Sequence, residues 1–196
     1  LKGMIASGSR APLNSENLAS LFSKLNKTKF DALSIVINSP GGSPVQSSLI
    51  AQKIREISLK KKVKCYCFVE DVAASGGYWL ACAADEIYAD VNSIVGSIGV
   101  ISGGFGFTEL IKKIGIERRI FTAGENKSFL DPFEKINKKD EEKLKNLQKQ
   151  IHQNFIDWVS SRRKKKFNQK NLKKIFSGSF WLSHEAKELG LIDGIY

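Results

Sequence analysis

At 196 residues, with hydrophobic side chains at 42 % and a formal net charge of +11, the chain has the length and apolar content to bury a continuous core, which argues against a disordered or fibrous protein. No apolar run reaches the roughly 18 residues that a membrane-crossing helix needs. Three cysteines without C-x-x-C spacing argue against a disulfide framework or a zinc site, and the charge comes without the aromatic pattern of an RNA-recognition module, so neither a zinc ion nor a nucleic acid is expected.

The segment Leu1 to Ile5 reads as a strand already under way, so an upstream signal or membrane anchor is expected to be absent from the chain, which is otherwise read as one domain over 1–196. Asp31 to Asn38 is a short apolar run rich in β-branched residues that ends in the turn signal Ser39-Pro40-Gly41-Gly42, and it predicts a buried strand. Val45, Leu49, Ile50, Ile54 and Ile57 recur at helical spacing behind Ser43-Pro44, a cap and first-turn proline. A second strand is predicted from Val63 to Asp71, on which Cys65 and Cys67 share one face and read as small core residues. A helix over Ala73 to Ala84, a strand over Glu86 to Ala89, a helix over Phe107 to Ile114 and a strand over Glu117 to Thr122 continue the order. The alternation predicts an α/β fold of stacked β-α-β units with a helical C-terminal part.

The Gly-rich, apolar segment Ser93 to Gly106 reads as a substrate groove or interface rather than a solvent-facing loop. After Gly124 the chain becomes polar, and Leu144, Leu147, Ile151, Phe155 and Trp158 then form one stripe behind Asn137 or Asp140 as cap. Arg162 to Lys166 with Lys170, Lys173 and Lys174 form a basic block that suits a solvated face or an anionic lipid surface. Ser183 to Leu189 reads as a last helix before a final turn and short strand.

Ser75 lies between a strand-like and a helix-like run, followed by Gly76 and Gly77. A serine at such a junction projects its hydroxyl past the sheet edge, and the helix N-terminus faces any negative charge formed beside it. A hydroxyl needs a base to become a nucleophile. The two histidines, His152 on the long helix and His184 among charged residues, lack a strand context with an orienting carboxylate, which disfavours a Ser-His-Asp triad. Lysine serves if its amine is neutral, and burial is the means of making it so. Lys127 has the most apolar setting, near Phe129, Leu130, Pro132 and Phe133.

Four motifs in order, Ile37-Asn38-Ser39-Pro40-Gly41-Gly42, Ala73-Ala74-Ser75-Gly76-Gly77-Tyr78, Gly96-Ser97-Ile98-Gly99-Val100 and Gly124-Glu125-Asn126-Lys127-Ser128 with Asp131-Pro132-Phe133, resemble the bacterial signal peptide peptidase A and SohB family. These are serine-lysine peptidases on the fold shared by Clp protease and crotonase. The resemblance implies Ser75 as nucleophile, Lys127 as general base, Ser97 as the hydroxyl that orients the lysine, and Gly42 and Gly76 as oxyanion-hole donors. It also implies cleaved signal peptides and unfolded hydrophobic segments as substrates, a homo-oligomer whose sites combine neighbouring subunits, no cofactor, and association with the bacterial cell membrane through an upstream anchor. A crotonase-like acyl-CoA enzyme and an inactive protease-like scaffold are the competing readings.

Overall fold

Alternation of buried and exposed residues makes the first strand. In the computed structural model, which describes residues 1–8, 13–124, 126–167 and 169–196, β1 (Ala32–Ser39) buries Leu33, Ile35, Ile37 and Ser39. These residues belong to one of two compact units, Leu1–Gly99 with His152–Tyr196; the other is Val100–Ile151.

In the first unit, β1 pairs in parallel with β2 (Lys64–Ala74), Leu33 opposite Cys65 and Ile37 opposite Val69, and the register slips before Ser39 meets Ala73. The three cysteines are free and buried, as core residues should be. On its other edge β2 pairs first with β3 (Glu86–Ala89), through Tyr66 to Val69, and then with β4 (Ile94–Gly96), through Val72 to Ala74, both in parallel. The last turn of β2 is therefore held on both sides just before Ser75.

Helices cover this sheet. An N-terminal helix that the sequence reading did not anticipate, α1 (Ala19–Lys27), buries Phe22. The helix predicted behind Ser43-Pro44 is α2 (Pro44–Lys61): the Ser43 hydroxyl accepts from the Gln46 N–H, Pro44 occupies the first turn, and Lys62 closes the helix in the left-handed conformation. Because β2 runs on to Ala74, the expected helix over Ala73 to Ala84 shortens to α3 (Gly76–Ala81).

The second unit holds α4 (Thr108–Lys113) and the first half of α5 (Lys138–Arg163). Asn137 caps α5, its side chain accepting from the Asp140 N–H. The strand expected over Glu117 to Thr122 does not form: no neighbouring strand pairs with it among the described residues, and Arg118 is engaged instead with Asp131 and with the face of Phe133. Among the described residues of this unit Ile111 is the one buried hydrophobe, whereas Ile101 and Phe121 are 93 % and 94 % exposed. The segment from Ser93 divides accordingly: Ser93, Val95 and Ile98 are buried, while Ile101 to Phe105 face solvent.

Returning to the first unit, α5 buries Phe155 and Val159 and stacks Phe155 and Trp158 on Trp79. In the basic block at its end the two arginines are internal wiring, while the six lysines are exposed, as expected of a solvated face. Arg162 bonds the Cys82 and Ala84 carbonyls and Asp85, and Arg163, 1 % exposed, bonds the Gly190 carbonyl and Asp193. Lys166 also reaches Asp193, and Lys174 reaches Glu185. Beyond α6 (Leu172–Ile175), β5 (Phe180–Leu182) adds an antiparallel edge to β4, which the sequence reading missed; α7 (Ser183–Glu188) and β6 (Gly194–Ile195), beside β3, close the chain as expected.

Candidate active site

The chain turns from β2 into α3 on one residue, Ser75, which takes φ 51° and ψ −121°. A serine with positive φ is strained, and such strain persists only where the surroundings over-determine it. Here they do. The Ser75 N–H donates to the Gly96 carbonyl at 2.8 Å, and its own carbonyl accepts from the Trp79 N–H at 3.0 Å. The Ser75 hydroxyl does not cap α3, so it is left for other work. Gly76 follows as the first residue of the helix, where an N–H has no intrahelical acceptor.

The turn after β1 is pressed against this junction. A Cβ on Gly41, whose φ is +102°, would lie 2.6 Å from the Gly76 nitrogen and 2.8 Å from the Ser75 Cβ. Gly42 is equally confined: at φ +142° its Cβ would lie 1.9 Å from the Ile5 carbonyl oxygen. Behind them the Asn38 amide donates to the Asp71 carboxylate, and α2 supplies Ser47 against Gly76. The two Gly-bearing turns that the sequence places after successive strands thus meet at one edge.

Ser97 joins the same group through the Gly96 carbonyl. It has φ 54°, its N–H donates to the Ser179 carbonyl at 2.7 Å, and its carbonyl accepts from the Gly99 N–H. Its neighbour Ile98 is fully buried, and the Ile98 carbonyl faces His152 Nε2 at 3.0 Å. The first unit therefore collects Gly42, Ser75, Gly76 and Ser97.

Lys127 belongs to the second unit. It is exposed, in a turn over 126–130 where its N–H donates to the Gly124 carbonyl, so the expected burial of its amine is not found in the chain. Glu125 of the same motif lies outside the described residues. The turn is tied down beyond the lysine: Leu130, at φ 55°, donates its N–H to Asp140. The Asp131 carboxylate accepts from the Phe133 N–H and from Arg118, which hold it below the usual carboxylate range.

Of the residues assigned ordinary roles from sequence, His152 and Trp158 matter most here. Trp158 donates its Nε1–H to the Trp79 carbonyl at 2.9 Å, anchoring the helix that follows Ser75. Spacing shows the helical stripe to which Trp158 belongs but not its polar partner. His184 lies on exposed α7 surface. Among the described residues no group of three His, Cys, Asp or Glu side chains is placed to hold a metal ion.

A serine hydroxyl on a strained turn beside the free N–H at the start of α3 is an arrangement that suits acyl transfer. Comparison with known proteins agrees. Residues 57–196 match Peptidase family S49. "Serine protease SPPA, chloroplastic" of Arabidopsis thaliana is 30 % identical over 196 residues, 100 % of this chain and 28 % of that protein. A protein of Brucella abortus named "Na(+)/H(+) antiporter NhaA" is 51 % identical over 199 residues, again 100 % of this chain but 27 % of its own length. The chain thus spans little more than a quarter of these relatives. A solved structure, a mutant of 1510-N membrane-bound stomatin-specific protease, superposes over 100 % of this chain and 76 % of its own with a TM-score of 0.60 at 16 % identity, a likeness of fold, here of the Clp protease and crotonase type.

Proposed function

The chain belongs to peptidase family S49, and from that premise we propose that it carries the catalytic domain of a serine endopeptidase working through Ser75 and Lys127. Ser75 attacks a peptide carbonyl while the neutral Lys127 amine takes its proton and returns it to the leaving amine; water, activated by the same lysine, then releases the acyl-enzyme. Ser97 orients the lysine amine, and the Gly42 and Gly76 N–H groups hold the oxyanion. The observation that carries this reading is the Ser75 turn, strained at φ 51° and pinned to the Gly96 carbonyl.

Lys127 is exposed in the chain, so the desolvation that a general-base lysine needs comes from elsewhere, and bound substrate and a neighbouring subunit together supply it. The apolar side chains exposed on the second unit suit that role, and we place the working enzyme in a homo-oligomer with shared sites. Its substrates are extended, apolar peptides, such as cleaved signal peptides and unfolded segments. Association with the bacterial cell membrane is part of the proposal; no helix among the described residues is long and apolar enough to cross a membrane. Ion exchange, in the printed name of the Brucella protein, is not part of the proposal.

The test is hydrolysis of an unfolded apolar peptide by the assembled protein, wild type against Ser75→Ala and Lys127→Met. Both variants are expected to lose turnover by about 10⁴-fold or more, the scale seen on removing one member of a catalytic unit. Turnover retained in Lys127→Met removes the lysine from the mechanism. A wild type that binds peptide without cleaving it favours the inactive scaffold.

A further inference from the structure

The turn that carries Ser97 is built against its own preferences. Gly96 and Ser97 are consecutive residues with positive φ, 117° and 54°, and the Gly99 N–H closes back onto the Ser97 carbonyl. Left alone such a turn relaxes. On one side β5 and the residue before it hold it: the Ser179 carbonyl accepts the Ser97 N–H, and the Trp181 ring packs where a Gly96 side chain would be. On the other side the partner is a side chain, His152 of α5, whose Nε2 meets the Ile98 carbonyl at 3.0 Å. A carbonyl only accepts, so Nε2 carries the hydrogen, as it does in the neutral Nε2–H tautomer and in the imidazolium.

From this geometry we infer that His152 is a positioning residue for Ser97. It fixes the Ile98–Gly99 peptide, whose N–H donates to the Ser97 carbonyl, and through that bond it holds the backbone turn from which the Ser97 hydroxyl projects. The inference rests on the reading that Ser97 orients Lys127, and deepens it by bringing α5 into the site. Within the next two turns the same helix packs Phe155 on the Trp79 ring and holds the Trp79 carbonyl through Trp158. One face of α5 thus braces both serine-bearing turns. The histidine acts as a hydrogen-bond donor, not as the base of a triad.

The experiment measures the rate at which a serine-directed fluorophosphonate labels the assembled enzyme, in wild type, His152→Leu, His152→Gln, Ser97→Ala and the double variant Ser97→Ala/His152→Leu. Glutamine places an N–H donor where Nε2 stands, and leucine does not. His152→Leu is expected to slow labelling by about fivefold to tenfold, the range one hydrogen bond carries, and His152→Gln to recover it to within about twofold. The double variant is expected to label no more slowly than Ser97→Ala, because the histidine works through that serine. If His152→Leu fails to assemble, His152→Asn takes its place: it keeps a polar group but draws the donor back out of reach, so it is expected to be slow where His152→Gln is fast. Wild-type labelling in His152→Leu or His152→Asn, or losses that multiply in the double variant, overturns the inference. Labelling that survives in Ser75→Ala is a different failure, since it removes the catalytic reading beneath the inference and the inference with it.

Discussion

Gly41 shows how far a site can depend on a missing atom. Its Cα rests against the Ser75–Gly76 peptide, and any side chain would drive that peptide outward, with a methyl 2.6 Å from the Gly76 nitrogen. Gly41→Ala is therefore expected to reduce peptide hydrolysis on the order of 100-fold, the scale for displacing reacting groups by about 1 Å. Its cost in thermal unfolding should be of comparable size, about 1–3 kcal/mol for a strained, crowded residue. Wild-type turnover in a folded Gly41→Ala protein would mean that the two turns need not touch during catalysis. In the sequence, the order strand, serine, glycine pair and helix was enough to single out Ser75. The positive φ of Ser75 and Ser97 was not readable, because serine has no intrinsic preference for it and tertiary hydrogen bonds impose it. Lys127 marks the opposite limit: apolar neighbours in sequence suggested burial, and the side chain is exposed.

At the level of elements, β1, α2 and β3 were legible because local pattern and tertiary demand agree there: alternation or helical spacing, a cap, and a turn signal. The short strands β4 and β5 escaped notice since pairing, not propensity, makes them strands. The basic end of α5 was legible as charge but not as structure. Arg163 is buried against the Gly190 carbonyl and Asp193, and Asp193 also accepts from Lys166 and from the Ile87 N–H. Burial pushes the Asp193 carboxyl up, but Lys166, Arg163 and the Ile87 N–H outweigh it and leave it below the ordinary carboxylate value. Such a group lends stability that is complete above its unfolded pKa of about 3.9 and is lost as pH falls through the lower folded value. The urea midpoint should drop between pH 5 and pH 2, and Asp193→Asn should flatten that drop while lowering the midpoint at neutral pH. An unchanged acid slope in the variant would shift the burden to Asp85, whose carboxyl is also held low: burial raises it, but the Cys65 N–H, Arg55 and Arg162 prevail. Arg163→Met, which strands the Gly190 carbonyl and half of Asp193, is expected to cost about 3 kcal/mol, the lower end for breaking a buried pair, because Lys166 remains.

For the molecule as a whole, the two units differ in how they are paid for in apolar burial. The first has a continuous core running from Ile5 to Ile192, whereas the second buries Ile111 alone among its described hydrophobes and turns Ile101, Phe105, Phe121 and Ile136 to solvent. A segment of that size cannot offset its chain entropy with one buried side chain and a few aromatic and ionic contacts. Residues 100–151 expressed alone should accordingly give the circular dichroism of an unfolded chain. In the whole protein the exposed apolar surface should drive self-association, and with a net charge of +11 that association should strengthen with salt as repulsion between copies is screened. Phe121→Asp places a charge on the most exposed of these side chains, outside every residue assigned to chemistry. If the second unit is completed by a neighbouring copy, the variant should sediment as a smaller species and lose turnover, with the Ser75 unit still folded by thermal melting. A variant that sediments and cleaves like wild type would show that each chain completes its own site, and Lys127 would then have to find its desolvation in the substrate alone.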